Sequence, residues 1–340
     1  MYQNIYKYDD MKRSEHMAVR TTVGWYLWTH QLCEVTGQDA PAFLDRLFPN
    51  HIMNLKVGSD RYTTMLNENG EIIDDVIIFR MEENKFWIST LFITYLLKWL
   101  ETYQGEARVE YKNITSQYHM FAMQGPKSLE MANTLLKYAV DEQKFFTIRP
   151  NLLDDIPVYL NRGGFTGEKL GYELYIPAEK LYEVENRLRV VAEQLGGKEV
   201  TEFQIMAWTL PTEAGFYYMR DLHHTNPLEV GLDKGIDWEK EFIGKEALLK
   251  IREDGPTREM VGFIVEEADI HIKSRHLGSE GDIVYKDGVP VGRVAKLIYS
   301  YVQEKNNGYI IAQKGALKIG DKVLMHGHEG IITERRFLDW

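Results

Sequence analysis

Two adjacent carboxylates, Asp74 and Asp75, interrupt the otherwise apolar stretch IIDDVIIF at residues 72–79. Such a stretch, rich in β-branched residues, is typical of a β-strand, in which successive side chains point to opposite faces. Because an ionised carboxylate is costly to bury without partners, the pattern predicts that at least one of these aspartates meets a polar partner or a ligand. The alternative is a pair of carboxylates capped by backbone N–H groups at the strand end.

A further candidate carboxylate, Glu213, stands directly before Ala214 and Gly215. The two small residues allow a neighbouring segment or a ligand to approach the chain closely. A carboxylate in that setting can accept two hydrogen bonds from a planar amino-pyrimidinone edge. The alternative is a capping or salt-bridged glutamate that contacts no ligand.

Several familiar catalytic patterns are absent from the sequence. It contains no GxxxxGK[ST] phosphate loop, no strand-linked GxGxxG loop and no GxSxG elbow, which argues against nucleotide binding by those loops and against serine hydrolysis. The histidine pairs at 223–224 and 326–328 lack the partner spacing of a metal site, and no metal is expected. Cys33 is the only cysteine, so it is expected to be structural and the chain to suit a reducing compartment.

The composition is that of a globular protein, with 340 residues of which 44% are hydrophobic and 27% charged. A net charge of −11 argues against a nucleic-acid partner and against an anionic membrane surface. The first residues lack the apolar core of a signal peptide. The most apolar segment, 87–100, is shorter than the roughly 20 residues of a membrane span. These features predict a cytoplasmic protein without a membrane partner.

The elements that must position the carboxylates begin with a predicted hairpin over residues 62–80, turned at Asn69-Gly70. Predicted strands and helices then alternate to about residue 250. From Arg258 onward, short alternating runs are separated by turn dipeptides, which predicts a small all-β unit. The polar stretch at 252–256 separates the region of alternating strands and helices from the all-β unit, so the predicted domains are 1–251 and 258–340.

Taken in order, several stretches resemble the folate-binding aminomethyltransferase superfamily, whose type member is the T-protein of the glycine cleavage system. They lie at 35–47, 62–75, 123–126, 163–174, 212–215, 226–232 and 242–248. The resemblance continues from residue 261 into the C-terminal part. No single stretch is specific, but the ordered set is.

The resemblance implies an α+β fold, in which ferredoxin-like and related α+β units surround a central folate channel and a β-barrel follows at the C-terminus. Tetrahydrofolate is the cofactor expected in that channel. By matching position, Asp75 is the catalytic aspartate, Glu213 the glutamate that grips the pterin and Tyr62 a tyrosine of the folate site. Glu168 and Glu173 fall in the glycine-rich hairpin that faces the same channel.

The chain departs from the T-protein pattern where the donor is expected to bind. Residues 24–31 read GWYLWTHQ and lack the aspartate of the Asp-Val-Ser-His-Met pattern, and Leu210-Pro211 replaces the usual Leu-Arg. Residues 218–221 read YMRD in place of Tyr-Gly-x-Asp, and the Lys-Gly-Cys-Tyr-x-Gly-Gln pattern of the iron–sulfur-maintenance branch is missing. The folate half of the pattern is therefore kept and the donor half changed, which favours a tetrahydrofolate-dependent demethylase.

The expected donor pocket combines aromatic and basic side chains from the changed segments. Its members are Tyr26, Trp28, His30, Tyr218 and Arg220, with His30 or a tyrosine assisting the leaving group. Each could instead be an ordinary core or surface residue, and for Trp28 the two interpretations are equally good.

Three functions remain open from the sequence. The first is a tetrahydrofolate-dependent methyltransferase that demethylates a small donor and passes the methyl group to folate N5. The second is the glycine-cleavage aminomethyltransferase, which works on a lipoyl carrier protein, and the third is a folate-binding protein without turnover. Asp75 speaks against the third. The changed segment 25–31 speaks against the second, as does the excess of 51 acidic over 40 basic residues, since the lipoyl carriers of the resembled system are acidic.

Overall fold

The structure, a computed structural model, describes residues 9–28, 31–267 and 282–338. Within these ranges the chain forms a six-stranded sheet, a five-stranded sheet and a closed six-stranded barrel, with helices on the outer faces of the two sheets. The predicted α+β fold with a C-terminal β-barrel is confirmed. His30 falls outside the described residues.

The helices are α1 (Asp10–Thr21), α2 (Ala40–Leu47), α3 (Ile93–Tyr103), α4 (Ser128–Leu135), α5 (Leu181–Gln194), α6 (Leu210–Glu213), α7 (Met219–Leu222), α8 (Pro227–Val230) and α9 (Lys245–Asp254). A π-helical turn, Ile205–Thr209, leads directly into α6. Short 3₁₀ turns lie at Thr115–Gln117, Ala178–Lys180 and Asp233–Gly235.

The strands of the two sheets are β1 (Gly24–Trp28), β2 (Gln31–Thr36), β3 (Asp60–Leu66), β4 (Ile72–Glu82), β5 (Lys85–Thr90), β6 (Glu110–Asn113), β7 (Tyr118–Gln124), β8 (Thr147–Leu153), β9 (Ile156–Arg162), β10 (Gly171–Pro177) and β11 (Lys198–Glu199). The barrel strands are β12 (Arg258–Val265), β13 (Ile283–Lys286), β14 (Val289–Ser300), β15 (Lys305–Gln313), β16 (Lys322–Met325) and β17 (His328–Thr333).

Each sheet is covered by helices on its outer face. The six-stranded sheet, in the order β11-β1-β7-β10-β9-β8, packs against α4 and α5 through residues such as Met131 and Leu188. The five-stranded sheet, in the order β3-β4-β5-β2-β6, packs against α2 and α3 through Phe43 and Leu96. Burial of these apolar faces stabilises both layers by about 25 cal/mol for each Å² removed from water.

The inner faces of the two sheets pack against each other through aromatic side chains. Phe79 of β4 meets Tyr175 of β10 edge to face, with ring centroids 5.7 Å apart. Trp87 of β5 lies 4.8 Å from the ring of Tyr118 at the start of β7. Strand β4 is therefore covered on both sides, and its alternate residues face either the helices or the other sheet.

The barrel closes through the pairing of β12 with β17, in which Phe263 lies opposite Ile332. It begins at Arg258, four residues after α9 ends. The predicted domain limits, 1–251 and 258–340, stay a prediction. Contacts that join the barrel to the rest of the chain include an ion pair, in which Lys296 Nζ lies 2.7 Å from an Asp221 carboxylate oxygen, and a hydrogen bond that the Ser300 hydroxyl donates to Glu213.

Polar side chains set two of the element boundaries. Strand β6 begins at Glu110, after a turn held by Gln104, whose side-chain amide donates to the carbonyls of Ala107 and Val109. The π-helical turn begins at Ile205, after a segment in which the backbone N–H and the hydroxyl of Thr201 both donate to the Glu15 carboxylate.

No helix in the described ranges combines the length and the apolarity that crossing a bilayer requires.

The turn between β7 and α4 depends on Gly125, whose φ is 120°. A Cβ at this position would lie 2.2 Å from the carbonyl oxygen of Val19 in α1. We expect Gly125→Ala to lower the free energy of unfolding by at least about 2 kcal/mol, through strain and displacement of α1. Urea unfolding measures this loss.

Gly105→Ala is the matched control, because Gly105 also has a positive φ, 57°, but a Cβ there meets nothing within 4 Å. Gly105→Ala should lower the free energy of unfolding by only about 1 kcal/mol, because it adds only the strain of a side chain on a left-handed backbone. Equal losses in the two variants would show that the contact with α1 is unimportant.

Candidate functional site

A cavity of about 390 Å³ lies between the inner faces of the two sheets and the segment around α6 and α7. Aromatic side chains form much of its wall: Trp28, Phe145, Phe146, Phe165, Phe216 and Tyr217. Its polar groups include Tyr62, Asp75, Gln124, Thr166, Glu173 and Tyr218. A cavity of this size and character suits a planar organic molecule with a few fixed hydrogen bonds.

Asp75 faces the cavity from β4, on the same side of the strand as Ile77. Tyr62 on the neighbouring strand β3 donates a hydrogen bond to its carboxylate over 2.9 Å. Burial and the negative charge of Asp221 raise the pKa of Asp75 to about 6, although the hydrogen bond from Tyr62 opposes them. Asp75 is thus a carboxylate that ionises near neutrality inside an apolar wall, as expected of a functional group.

Asp74 points to the opposite face of β4, away from the cavity, and is 1% exposed. The Thr90 hydroxyl and the Asp75 backbone N–H both donate to it. Burial and the charge of Asp75 raise the pKa of Asp74 to about 7. The two aspartates therefore divide as the strand alternation predicts: Asp75 meets the cavity and Asp74 meets structural partners.

Glu173 is a second buried carboxylate that lines the cavity, from strand β10. The side-chain amide of Asn161, directly opposite on β9, donates to it over 3.0 Å. Burial raises the pKa of Glu173 to about 7. No cation of the described chain pairs with this group, so a ligand that donates hydrogen bonds would relieve its burial cost.

Asp60 lies close behind Glu173, and neither of its carboxyl oxygens has a hydrogen-bond partner among the described residues. Burial and the negative charge of Glu173 raise the pKa of Asp60 to about 8. Because the pKa of Asp60 lies above that of Glu173, Glu173 is the group that ionises first at this wall as pH rises.

Glu213 does not line the cavity, and its side chain is fully buried behind the wall. Arg20 Nε donates to its carboxylate over 3.1 Å, the Ser300 hydroxyl donates as well, and His16 Nε2 lies 3.3 Å away. Burial alone would raise the pKa of Glu213, but the charges of His16 and Arg20 lower it to about 2. Glu213 thus lies outside the cavity lining, in the salt-bridged setting of the alternative interpretation, and its contact with a pterin stays a prediction.

Glu168 is likewise used within the protein. Its carboxylate accepts a hydrogen bond from Arg20 Nη1, its side chain is 7% exposed and it does not line the cavity. Arg20 therefore bridges Glu168 of the glycine-rich turn and Glu213 of α6. Of the two glutamates predicted in the turn and hairpin, only Glu173 reaches the cavity.

Of the residues predicted to bind the donor, some line the cavity and others do not. Trp28 and Tyr218 line the cavity, and the Trp28 ring rests 5.7 Å from that of Phe203. Tyr26 does not line it but supports Trp28 by an edge contact at 5.6 Å. Arg220 is exposed and lies outside the lining. The structure thus brings Trp28 and Tyr218 to the site and leaves Tyr26 and Arg220 outside it.

Among the described residues, no group of three His, Cys, Asp or Glu side chains is arranged to hold a metal ion. Cys33 is buried in β2, and burial raises the pKa of its thiol to about 12, as for a structural cysteine.

Sequence reasoning did not identify the aromatic and basic groups that complete the cavity. Phe145 and Phe146 belong to an irregular segment before β8, where their partial exposure, 44% and 41%, marks them only once the fold is known. Arg335 enters the wall from beyond the last barrel strand. Thr166, which donates to Gln124 over 2.8 Å, lies within the glycine-rich stretch and could have been considered from its position there.

Comparisons with known proteins identify the family to which this chain belongs. Residues 1–240 match the family described as the GCVT N-terminal domain. An aminomethyltransferase of Halalkalibacterium halodurans is 31% identical over 326 residues, covering 92% of this chain and 85% of the relative. One of Bacillus mycoides is 35% identical over 272 residues, covering 76% and 72%.

In fold, the chain is similar to the crystal structure of glycine cleavage system aminomethyltransferase T from Bartonella henselae. The TM-score is 0.84 at 21% sequence identity, and the match covers 96% of this chain and 89% of that one. The family match and the sequence relatives confirm the resemblance stated above: the chain belongs to the GCVT family, within the folate-binding aminomethyltransferase superfamily.

Proposed function

We propose that this protein transfers a one-carbon unit to tetrahydrofolate bound in the cavity between the sheets. The observation that carries the proposal is Asp75, a carboxylate with a pKa raised to about 6 that faces an aromatic cavity without a cationic partner. Membership of the superfamily and relatives named aminomethyltransferase support the same chemistry. A folate-binding protein without turnover would have no need to keep such a costly group.

The cavity fits the pterin of tetrahydrofolate. An amino-pyrimidinone edge presents adjacent N–H donors, and Glu173 offers a buried carboxylate that has only amide and phenol partners, Asn161 at 3.0 Å and Tyr175 at 3.4 Å. Flat rings such as Phe146 and Phe165 suit stacking. Glu173 thus takes the role that the sequence assigned to Glu213. When bound, tetrahydrofolate supplies N5, the nitrogen that accepts the one-carbon unit.

Asp75 would stabilise positive charge on the reacting nitrogen and exchange a proton with it. An ionised carboxylate in a low-dielectric wall stabilises positive charge at nitrogen more strongly than water does. Tyr62, which donates to Asp75 over 2.9 Å, fixes the orientation of the carboxylate. Holding donor and acceptor in one closed cavity provides the remaining gain, through proximity.

For the donor, we propose a small methylated molecule whose methyl group passes to N5. The bond between the methyl carbon and the donor's O, N or S atom breaks as the bond to N5 forms, and the N5 proton passes to the leaving group. Trp28 and Tyr218 give the cavity flat aromatic surfaces, which suit a methoxyarene or a compact methylated cation. The excess of acidic residues, 51 against 40 basic, speaks against an acidic carrier protein as the donor. The relatives' name favours the second candidate, aminomethyl transfer, in which a lipoyl carrier protein would present the unit.

Asp75→Asn should lower turnover by about two orders of magnitude while leaving folding and folate binding largely intact, because it removes one electrostatic contact. Steady-state rates and thermal unfolding measure the two effects. Because the active form is ionised, kcat/KM of the wild type should rise with pH through about 6, and Asp75→Asn should lack this acid limb.

Asp74→Asn is the matched control, since Asp74 is the adjacent carboxylate on the opposite face. It should keep the acid limb and most of the activity. An inactive Asp74→Asn beside an active Asp75→Asn would reverse the assignment.

Glu173→Gln should weaken tetrahydrofolate binding by about 10- to 100-fold, because the charged acceptor is replaced by an amide that also presents N–H groups. Calorimetric titration gives the affinity. Glu179→Gln, at an exposed site just beyond the same strand, should leave it unchanged. Unaltered affinity in Glu173→Gln would remove Glu173 from the folate site.

The same variant should change the pH dependence of stability. The folded-state pKa of Glu173, about 7, lies above the ordinary 4.5. The stability that the folded protein gains by keeping this carboxyl protonated is therefore fully present below about pH 4.5 and is lost as pH rises through 7. The wild type should lose up to about 3 kcal/mol through this group between about pH 4.5 and 8. Glu173→Gln should show a correspondingly flatter curve in urea unfolding.

The donor is tested by incubating the protein and tetrahydrofolate with methoxy, methylamine and methylsulfonium compounds, and separately with an aminomethylated lipoyl carrier protein at low and high salt. We expect 5-methyltetrahydrofolate from one free donor. Formation of methylenetetrahydrofolate with the carrier alone would select the aminomethyltransferase.

A further inference from the structure

Arg335 brings a positive charge into the wall of the cavity from the far end of the chain. It follows the last barrel strand and lines the cavity together with Tyr217 and Leu232. Its guanidinium lies over the Tyr217 ring, 4.8 Å from the centroid, and Nη1 donates to the carbonyl of Val230 over 2.7 Å. These contacts fix the position of the group while leaving most of its five N–H donors available.

The backbone around Arg335 is held in place independently of its side chain. The N–H groups of Phe337 and Leu338 both donate to the carbonyl of Glu213 over 3.0 Å. Gly215, with φ at 82°, lets this segment pass close by, since a Cβ there would lie 3.3 Å from the Arg335 carbonyl and closer to Arg336. Arg335 is therefore presented to the cavity by a fixed segment.

The charge of Arg335 has no counterion among the described residues. No carboxylate there forms an ion pair with it, and neither Asp75 nor Glu173, the carboxylates of the cavity, is its partner. Burial lowers the pKa of Arg335, and no charged neighbour opposes this effect. A partly buried guanidinium without a counterion is costly, and an anion that enters the cavity would remove that cost.

We propose that Arg335 is the residue that binds a carboxylate of the molecules held in the cavity, through its planar pair of N–H donors. The inference rests on the proposed function and deepens it. Guanidinium and carboxylate match in geometry and form two parallel charge-assisted hydrogen bonds. Such a carboxylate has two sources: the glutamate tail of tetrahydrofolate, or a carboxylate on the one-carbon donor.

The first arm of the test compares tetrahydrofolate with tetrahydropteroyl amide, which keeps the pterin and the aminobenzoyl ring but lacks the glutamate. Calorimetric titrations use the wild type, Arg335→Gln and Arg336→Gln. Arg336 is the matched control, because it is the next residue, is exposed and does not line the cavity. If Arg335 holds the tail, the wild type and Arg336→Gln prefer tetrahydrofolate by about 10- to 100-fold, and Arg335→Gln loses that preference.

The second arm compares N-methylglycine with its amide, added to the protein saturated with tetrahydrofolate. If Arg335 holds the donor's carboxylate, Arg335→Gln keeps the folate preference but loses the preference for N-methylglycine. Arg335→Lys keeps the charge without the planar fork and should retain part of either preference. Thermal unfolding of each variant shows whether it is folded.

The proposal is overturned if Arg335→Gln keeps the preference for the carboxylate-bearing probe in both arms. It is also overturned if the wild type shows no such preference in either arm. A wild type that binds neither folate probe overturns the proposed function instead. The N-methylglycine arm, run without folate, then decides the role of Arg335 by itself.

Discussion

The cost of removing charge from water divides the buried carboxylates of this protein into two groups. Glu213 and Asp221 have cationic partners, Arg20 and Lys296, and both pairs lie behind the cavity wall. Other buried carboxylates have no ion-pair partner among the described residues, and burial raises the pKa of four of these: Asp75 and Glu173 at the cavity, Asp60 near Glu173, and Asp74 on the far face of β4. Paired charges hold elements together, whereas unpaired charges at a cavity are kept at a cost to stability, which is characteristic of functional sites.

The paired charges also explain how distant segments come to form one site. Arg20 of the first helix binds Glu168 in the glycine-rich turn and Glu213 in α6, so three segments meet at one guanidinium. Lys296 of the barrel is 3% exposed and binds Asp221 of α7, the helix that begins just after the cavity residue Tyr218. Breaking a buried pair leaves an uncompensated charge. These contacts therefore position the cavity walls relative to one another.

The sequence predicts the parts of this site that depend on local contacts, and not the parts that depend on contacts between distant segments. The two-residue repeat of β4 is sufficient to place Asp75 and Asp74 on opposite faces, because strand alternation is a property of the backbone. Glu213 is ambiguous in the sequence, since the choice between ligand and salt bridge depends on Arg20, 193 residues away. Arg335 carries no local pattern. Its role follows from the path of the segment beyond the barrel, which only the folded chain reveals.

The unpaired charges make different parts of the cavity wall electrostatically opposite. Asp75 and Glu173 place negative charge on the walls formed by β4 and β10, and Arg335 places positive charge where the segment beyond the barrel meets Tyr217. These opposite charges lie in one cavity but form no ion pair with each other. A molecule with N–H donors at one end and a carboxylate at the other would satisfy both in one orientation and leave both unsatisfied in the reverse. Orientation is thus set by electrostatics, and the aromatic walls, which stack on either face of a ring, need only provide the shape.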